Sequence, residues 1–145
     1  MMQPLFIDTN YLCAYYNKLD SLHEKAKKLF PELSKFNIII SNFILLECYT
    51  IISQRASRNH ALIFKEDMYT QKYYRIAWID KMLEQETWHI FASIKDKNFS
   101  YVDASILAIL KKEKISHLLS FDAGFAQFQN IFGFTLVGAL PPQTL

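Results

Sequence analysis

The chain has 145 residues, 16 Lys and Arg against 14 Asp and Glu, and a hydrophobic share of 51%. That balance excludes a disordered chain and a generally basic nucleic-acid coat, and it predicts one globular domain over residues 1–145, able to bury about 70% of its unfolded surface. With Gly124, Gly133 and Gly138 the only glycines, neither a GxGxxG dinucleotide loop nor a GxxxxGK[ST] phosphate loop can be written.

In chain order, Leu5-Phe6-Ile7 reads as a buried strand ended by Asp8, and Tyr11 to Tyr16 opens a helix. Ser21 and Glu24 offer a capping box for a Lys-rich amphipathic helix running to about Lys35, disturbed by Pro31. Asn37 to Ile40 is a second strand, and Ser41 N-caps a helix from Asn42 to about Ala56. Asn59 to Tyr74 reads as helical, the stretch up to Met82 is ambiguous, and Glu84 to Lys95 is helical again. Ser100 to Lys112 is a helix, Ile115 to Leu119 and Phe134 to Val137 are strands, and the tail from Gly138 is irregular. Short apolar strands alternating with helices predict an α/β fold whose parallel sheet is covered on both faces. Such sheets bind ligands at the carboxyl ends of their strands.

Four acids stand out. Glu47 and Asp103 each interrupt a helix that is otherwise apolar, with no Lys or Arg at i±3 or i±4. A helix apolar all round is expected to be buried, and a buried carboxylate must be paired, protonated or bound to a metal. Asp8 and Asp122 follow the ends of two apolar strands, so parallel strands bring both to one edge. Each acid also has a plainer role open to it. Asp8 can cap the next helix, Asp103 can form a capping box with Ser100, Asp122 can make a turn before Gly124, and Glu47 can face solvent. Two carboxylates about 4 Å apart repel by roughly 4 kcal/mol at an effective dielectric of about 20, so a converging set calls for a cation. The donors are all hard oxygens, which favours Mg²⁺ or Mn²⁺ over Zn²⁺ and points to metal-assisted phosphodiester hydrolysis.

Asp8-Thr9-Asn10, Leu46-Glu47, Ser100-Tyr101-Val102-Asp103-Ala104 and Leu119-Ser120-Phe121-Asp122-Ala123-Gly124-Phe125 together resemble the four acidic motifs of PIN domains, in order and spacing, across essentially the whole chain. The resemblance implies a three-layer α/β/α fold with a central, mainly parallel sheet. It implies an endoribonuclease using Mg²⁺ or Mn²⁺, with Asp8, Glu47, Asp103 and Asp122 as metal ligands that activate the attacking water. Thr9, Asn10 and Ser120 match the small polar residues of that pocket. Within the family the chain is most similar to VapC-type toxins of bacterial toxin–antitoxin pairs. That implies a structured RNA substrate, a cognate antitoxin and a homodimer.

Two other readings compete. A haloacid-dehalogenase-like phosphatase also starts from an Asp after its first strand, but it needs a second acid two residues on, where this chain has Asn10. A non-catalytic PIN-like module would dock RNA or a protein without cutting. Lys25, Lys27, Lys28, Arg55, Arg58, Lys65, Lys72 and Arg75 are candidate phosphate contacts, and Tyr69, Tyr73 and Tyr74 are candidate base-stacking residues. The start, MMQPLFID, has no basic n-region, and no apolar run approaches the roughly 20 residues of a membrane helix. Cys13 and Cys48 form no CxxC pair and read as reduced core thiols of a cytoplasmic protein.

Overall fold

A computed structural model describes residues 1–70 and 73–139. Its centre is a five-stranded sheet of order β3-β2-β1-β4-β5, with β1 Gln3–Ile7, β2 Phe36–Ser41, β3 Tyr74–Ala77, β4 His117–Leu119 and β5 Thr135–Val137. Every pairing is parallel. Leu5, Phe6 and Ile7 of β1 and Ile38, Ile39 and Ile40 of β2 are all buried, the unbroken apolar runs that a sheet covered on both faces requires.

The helices are α1 Thr9–Tyr16, α2 His23–Leu29, α3 Asn42–Arg55, α4 Arg58–Thr70, α5 Lys81–Ser93, α6 Tyr101–Glu113 and α7 Gln129–Phe132, with 3₁₀ turns at Phe30–Lys35 and Ala123–Phe128. From β1 the chain steps outward through β2 to β3, then crosses back to β4 and on to β5. Right-handed crossovers therefore put α1 to α4 on one face and α5 to α7 on the other. The packing agrees: α1 meets α2 and α3, α3 meets α4, and α6 meets α5 and α7. The two groups touch where α3 reaches α6. The chain leaves β1 for one side and enters its neighbour β4 from the other, so the sheet's switch point lies at the carboxyl ends of β1 and β4.

Four expectations need correction. The Ser21–Glu24 capping box does not form. Leu22 holds the N-cap position without a side-chain bond, while Asp20 Oδ1 accepts from the Leu22 N–H and the Asp20 carbonyl accepts from that of His23. The helix then stops at Leu29, and Pro31 lies at the start of a 3₁₀ turn. The helix expected over 59–74 ends by Thr70, and Tyr74–Ala77 instead pairs as an edge strand with Ile38 to Ser41. An exposed β2 edge supplies backbone partners that local helix propensity cannot match. Of the two apolar helices, α6 is buried from Ala104 to Leu110, but α3 leaves Leu46 66% exposed. Cys13 and Cys48 are both free and buried, and burial, then the hydrogen bond with Cys13, pushes the Cys48 thiol up. Among the described residues no helix is long and apolar enough to cross a membrane.

Candidate active site

The switch point gathers the predicted acids. Asp8 follows directly on β1, and its backbone N–H donates to the Leu119 carbonyl, continuing the β1–β4 ladder by one residue. Ser120 is thereby placed beside it, and its hydroxyl donates to Asp8 Oδ2 at 2.7 Å. The same hydroxyl oxygen accepts from Asn10 Nδ2 and from the Asp122 N–H, each at 3.1 Å. Ser120 is fully buried and its hydrogen-bonding capacity is filled. Asn10 completes the tie by accepting the Phe121 N–H on Oδ1. On the other side, Asp8 Oδ1 accepts the Thr9 N–H at 2.7 Å, and the Thr9 hydroxyl donates to Glu47 Oε1 at 2.7 Å. An unbroken chain of contacts thus runs from Glu47 through Thr9, Asp8 and Ser120 to Asp122.

Asp103 enters from α6. It occupies the third helical position, where its Oδ2 accepts the Ser100 N–H and its own N–H donates to Ser100 Oγ. Its connection to the other acids is electrostatic. Asp8 is 5% exposed, and burial first, then the charges of Asp103 and Glu47, raise its carboxyl from 3.8 to about 7, against the pull of the Ser120 and Thr9 bonds. Asp103 is raised as well, by burial first and then by the charges of Asp122 and Glu47, against its two bonds with Ser100. Glu47 is half-buried and Asp122 is exposed.

Three of the plainer roles are realised at the same time. Asp8 caps α1, Asp103 makes a capping box, and Asp122 Oδ1 accepts the Gly124 N–H in a turn. These bonds use up only part of each carboxylate, since an ionised carboxyl has about four acceptor sites. Among the described residues, no three His, Cys, Asp or Glu side chains already stand close enough to hold one ion. The set is an open rim of hard oxygen donors with a carboxyl that burial and like charge disfavour in ionised form. Such a rim fits a divalent cation that keeps several of its waters, and not a closed protein cage.

The candidate RNA contacts divide. Lys25 lies at this edge, donating to the Gly138 carbonyl at 2.6 Å with its ammonium 5.1 Å from the Phe121 ring centre. Lys27, Lys28, Arg55 and Arg58 are exposed away from any ion pair among the described residues. Lys65 pairs with Glu66 beside Tyr69, and Arg75 pairs with Glu113. Tyr73 and Tyr74 precede or begin β3, so they lie at the opposite edge of the parallel sheet from the acids, around a cleft shared with Phe30, Phe36 and Asn37. Lys72 lies outside the described residues. What the sequence reading passed over is an aromatic cluster at the acid edge. Trp88 and Phe91 of α5 and Phe43 of α3 surround Tyr101, the first residue of α6. A signal for it existed: α5 buries Leu83, Thr87 and Ile90, and Trp88 and Phe91 fall one residue out of that phase.

Residues 5–131 match the family described as PIN domain. The 23S rRNA-specific endonuclease VapC20 of Mycobacterium tuberculosis is 25% identical over 122 residues, which are 84% of this chain and 92% of that protein. The crystal structure of VapC20, described as a sarcin–ricin loop cleaving toxin, superposes with a TM-score of 0.80 at 26% identity, covering 94% of this chain and 99% of that one. VapBC2 from Rickettsia felis, bound to a DNA fragment from its promoter, shares the fold with a TM-score of 0.64 at 15% identity, over 92% of this chain and 97% of that one. FitAcB from Neisseria gonorrhoeae does so with a TM-score of 0.64 at 14% identity, over 97% and 99%.

Proposed function

The chain belongs to the PIN domain family, and on that premise we propose that it is a divalent-metal-dependent endoribonuclease, the toxin of a toxin–antitoxin pair. The observation that carries the proposal is the convergence of Asp8, Glu47, Asp103 and Asp122 on one sheet edge, with Thr9, Asn10 and Ser120 bridging three of them. The likeness to VapC20, an endonuclease by name and a toxin by description, supports the same reading.

In this reading Asp8, Glu47, Asp103 and Asp122 would hold Mg²⁺ or Mn²⁺, which would neutralise phosphate charge and supply the nucleophile from water. The rest of the work is the chain's own. Ser120 fixes the rotamer of Asp8 by donating to Oδ2, and Thr9 fixes Glu47 in the same way. Asn10 holds Ser120 and the Phe121 backbone, so the β4 end and its Asp122 cannot drift from Asp8. These bridging bonds give the ligands their direction, a role whose loss typically costs 10- to 100-fold in metal affinity or activity. The substrate class is structured RNA, and the substrate named for VapC20 makes a ribosomal RNA loop the first to test. A cognate antitoxin and a homodimeric assembly belong to the same proposal, as does action as one nuclease unit over residues 1–145.

One observation favours a second reading. The carboxylates do not already form a three-ligand cage among the described residues, as a module that binds without cutting would also show. Cleavage of a sarcin–ricin loop hairpin by the purified chain separates the two. The nuclease cuts with Mg²⁺ or Mn²⁺, loses activity in EDTA, and loses it in Asp103→Asn. The amide oxygen of that variant can still accept the Ser100 N–H, so the cap of α6 is kept and the variant folds. A folded chain, free of any partner, that cuts no RNA under these conditions supports the binding module.

A further inference from the structure

The basic side chains divide by the edge of the sheet at which they lie. A helix that follows a parallel strand starts at the carboxyl edge and ends at the opposite one. Arg55 closes α3, and Lys111 and Lys112 lie in the last turn of α6, so all three sit away from the acids. Lys65 and Arg75 are paired with Glu66 and Glu113. α5 does open at the carboxyl edge, but with Asp80 at its N-cap and Glu84 in its first turn.

Lys25 differs from all of these. Its ammonium donates to the Gly138 carbonyl at 2.6 Å and stands 5.1 Å from the centre of the Phe121 ring. Both anchors belong to the acid edge. Gly138 is the first residue past β5, and Phe121 stands between Ser120 and Asp122. Both are also held in place. The Val137 carbonyl accepts the Ser120 N–H, and the Phe121 N–H donates to Asn10 Oδ1. Gly138 turns at φ 86° so close to β4 that a Cβ would lie 2.8 Å from Leu119.

What this ammonium lacks is an anion. It is half-buried, yet no carboxylate among the described residues lies within ion-pair distance of it. A carbonyl and a ring face hold a cation without neutralising it. Of its three N–H donors, one is bound to Gly138. An ordered, uncompensated cation beside a rim of carboxylates fits a ligand whose negative charges repeat, one at the rim and the next beside it. An RNA backbone is such a ligand.

We propose that Lys25 holds a phosphodiester of the substrate RNA adjacent to the one that is cut, so that the strand leaves the carboxylate rim over α2 and not over the acidic start of α5. The proposal rests on the ribonuclease reading above. Because the side chain is already held by Gly138 and Phe121, little ordering entropy is lost when the phosphate arrives. A phosphate carries no sequence, so Lys25 sets the register of the strand and leaves the choice of base to other contacts.

The test has two arms. In the first, wild type is compared with Lys25→Met, Lys25→Arg and a control, Lys112→Met, on the sarcin–ricin loop hairpin at fixed Mg²⁺ over a series of KCl concentrations. The expected result for Lys25→Met is a raised KM with kcat unchanged. The slope of log(1/KM) against log salt should become shallower by about 0.7 to 0.9, the counterion release of one phosphate contact. Lys25→Arg and Lys112→Met should keep the wild-type slope. A Lys25→Met chain that loses stability in urea but keeps its salt slope overturns the proposal, since Lys25 then only ties β5 to the site. An equal change of slope in Lys112→Met overturns it too, as an effect of net charge. The second arm measures binding of the labelled hairpin by fluorescence anisotropy, with Asp103→Asn as the parent that does not cut, with and without Lys25→Met. The same difference in slope is expected. If the wild type cuts nothing, the nuclease reading fails and this arm alone decides the role of Lys25. Equal slopes in it, or no binding by either chain, then overturn the proposal.

Discussion

Asp8 allows the strongest quantitative test. It is buried at the sheet edge, and its carboxyl lies near 7 where an unfolded aspartate titrates near 3.8. The native state therefore holds this proton over a range in which the unfolded chain has released it. The contribution of the group to stability is fully present below about pH 3.8 and is lost as pH rises through about 7. A difference of this size corresponds to about 4 kcal/mol, at 1.36 kcal/mol per pH unit, which is a large part of the stability of a chain of this length. Asp103 shifts in the same direction and adds to the slope. Urea unfolding in EDTA at pH 5, 6, 7 and 8 should show wild-type stability falling steadily. Asp8→Asn, which cannot ionise, should be flatter across the same range and more stable than wild type at pH 8. A millimolar concentration of Mn²⁺ should stabilise the wild type more at pH 8 than at pH 5.5, since a ligand must be deprotonated to bind. Wild-type stability that is level or rising between pH 5 and 8, or a slope that survives in Asp8→Asn, refutes the argument.

Three further outcomes follow from single contacts. Ser120→Ala removes a filled, buried hydroxyl and leaves Asp8, Asn10 and the Asp122 N–H short of a partner. It should cost about 1–3 kcal/mol in urea unfolding and weaken Mn²⁺ binding measured by calorimetry. Lys114 closes α6 in the left-handed region, at φ 54° and ψ 47°, with its side chain exposed. Lys114→Gly should therefore raise stability by about 1 kcal/mol by the same assay. Cys13 and Cys48 are buried, and the Cys48 thiol is pushed up, so a disulfide reagent should modify neither in the native chain and both in denaturant.

The strands were legible in the sequence because a buried parallel strand is an unbroken apolar run, and Leu5 to Ile7 and Ile38 to Ile40 are such runs. The caps of α3 and α6 were legible because Ser41 and Ser100 each stand where an apolar helix begins. β3 was hidden, because Tyr74 to Ala77 is an edge strand whose pairing with β2 comes from a segment far away in the chain. At the site, Asp8, Glu47, Asp103 and Asp122 could be picked out as carboxylates in apolar surroundings. Their joint position depends on the order of the strands, which no local pattern encodes. The bridging contacts of Ser120 and Thr9 were readable only through the family resemblance. The aromatic cluster around Tyr101 escaped notice because an exposed aromatic residue looks like a core residue until the helix phase is known.

The capping bonds of the acids carry a consequence for the working protein. Asp8 and Asp103 each face the amino end of a helix, where the backbone presents about half a positive elementary charge. Part of each negative charge is thus matched from within the fold before any ion arrives. The acidic rim can then assemble during folding with no cation present, and what it gains in self-sufficiency it gives up in grip. Under the proposed function, the chain is a folded but idle enzyme at low cation concentration, and its turnover follows the free Mg²⁺ or Mn²⁺ around it.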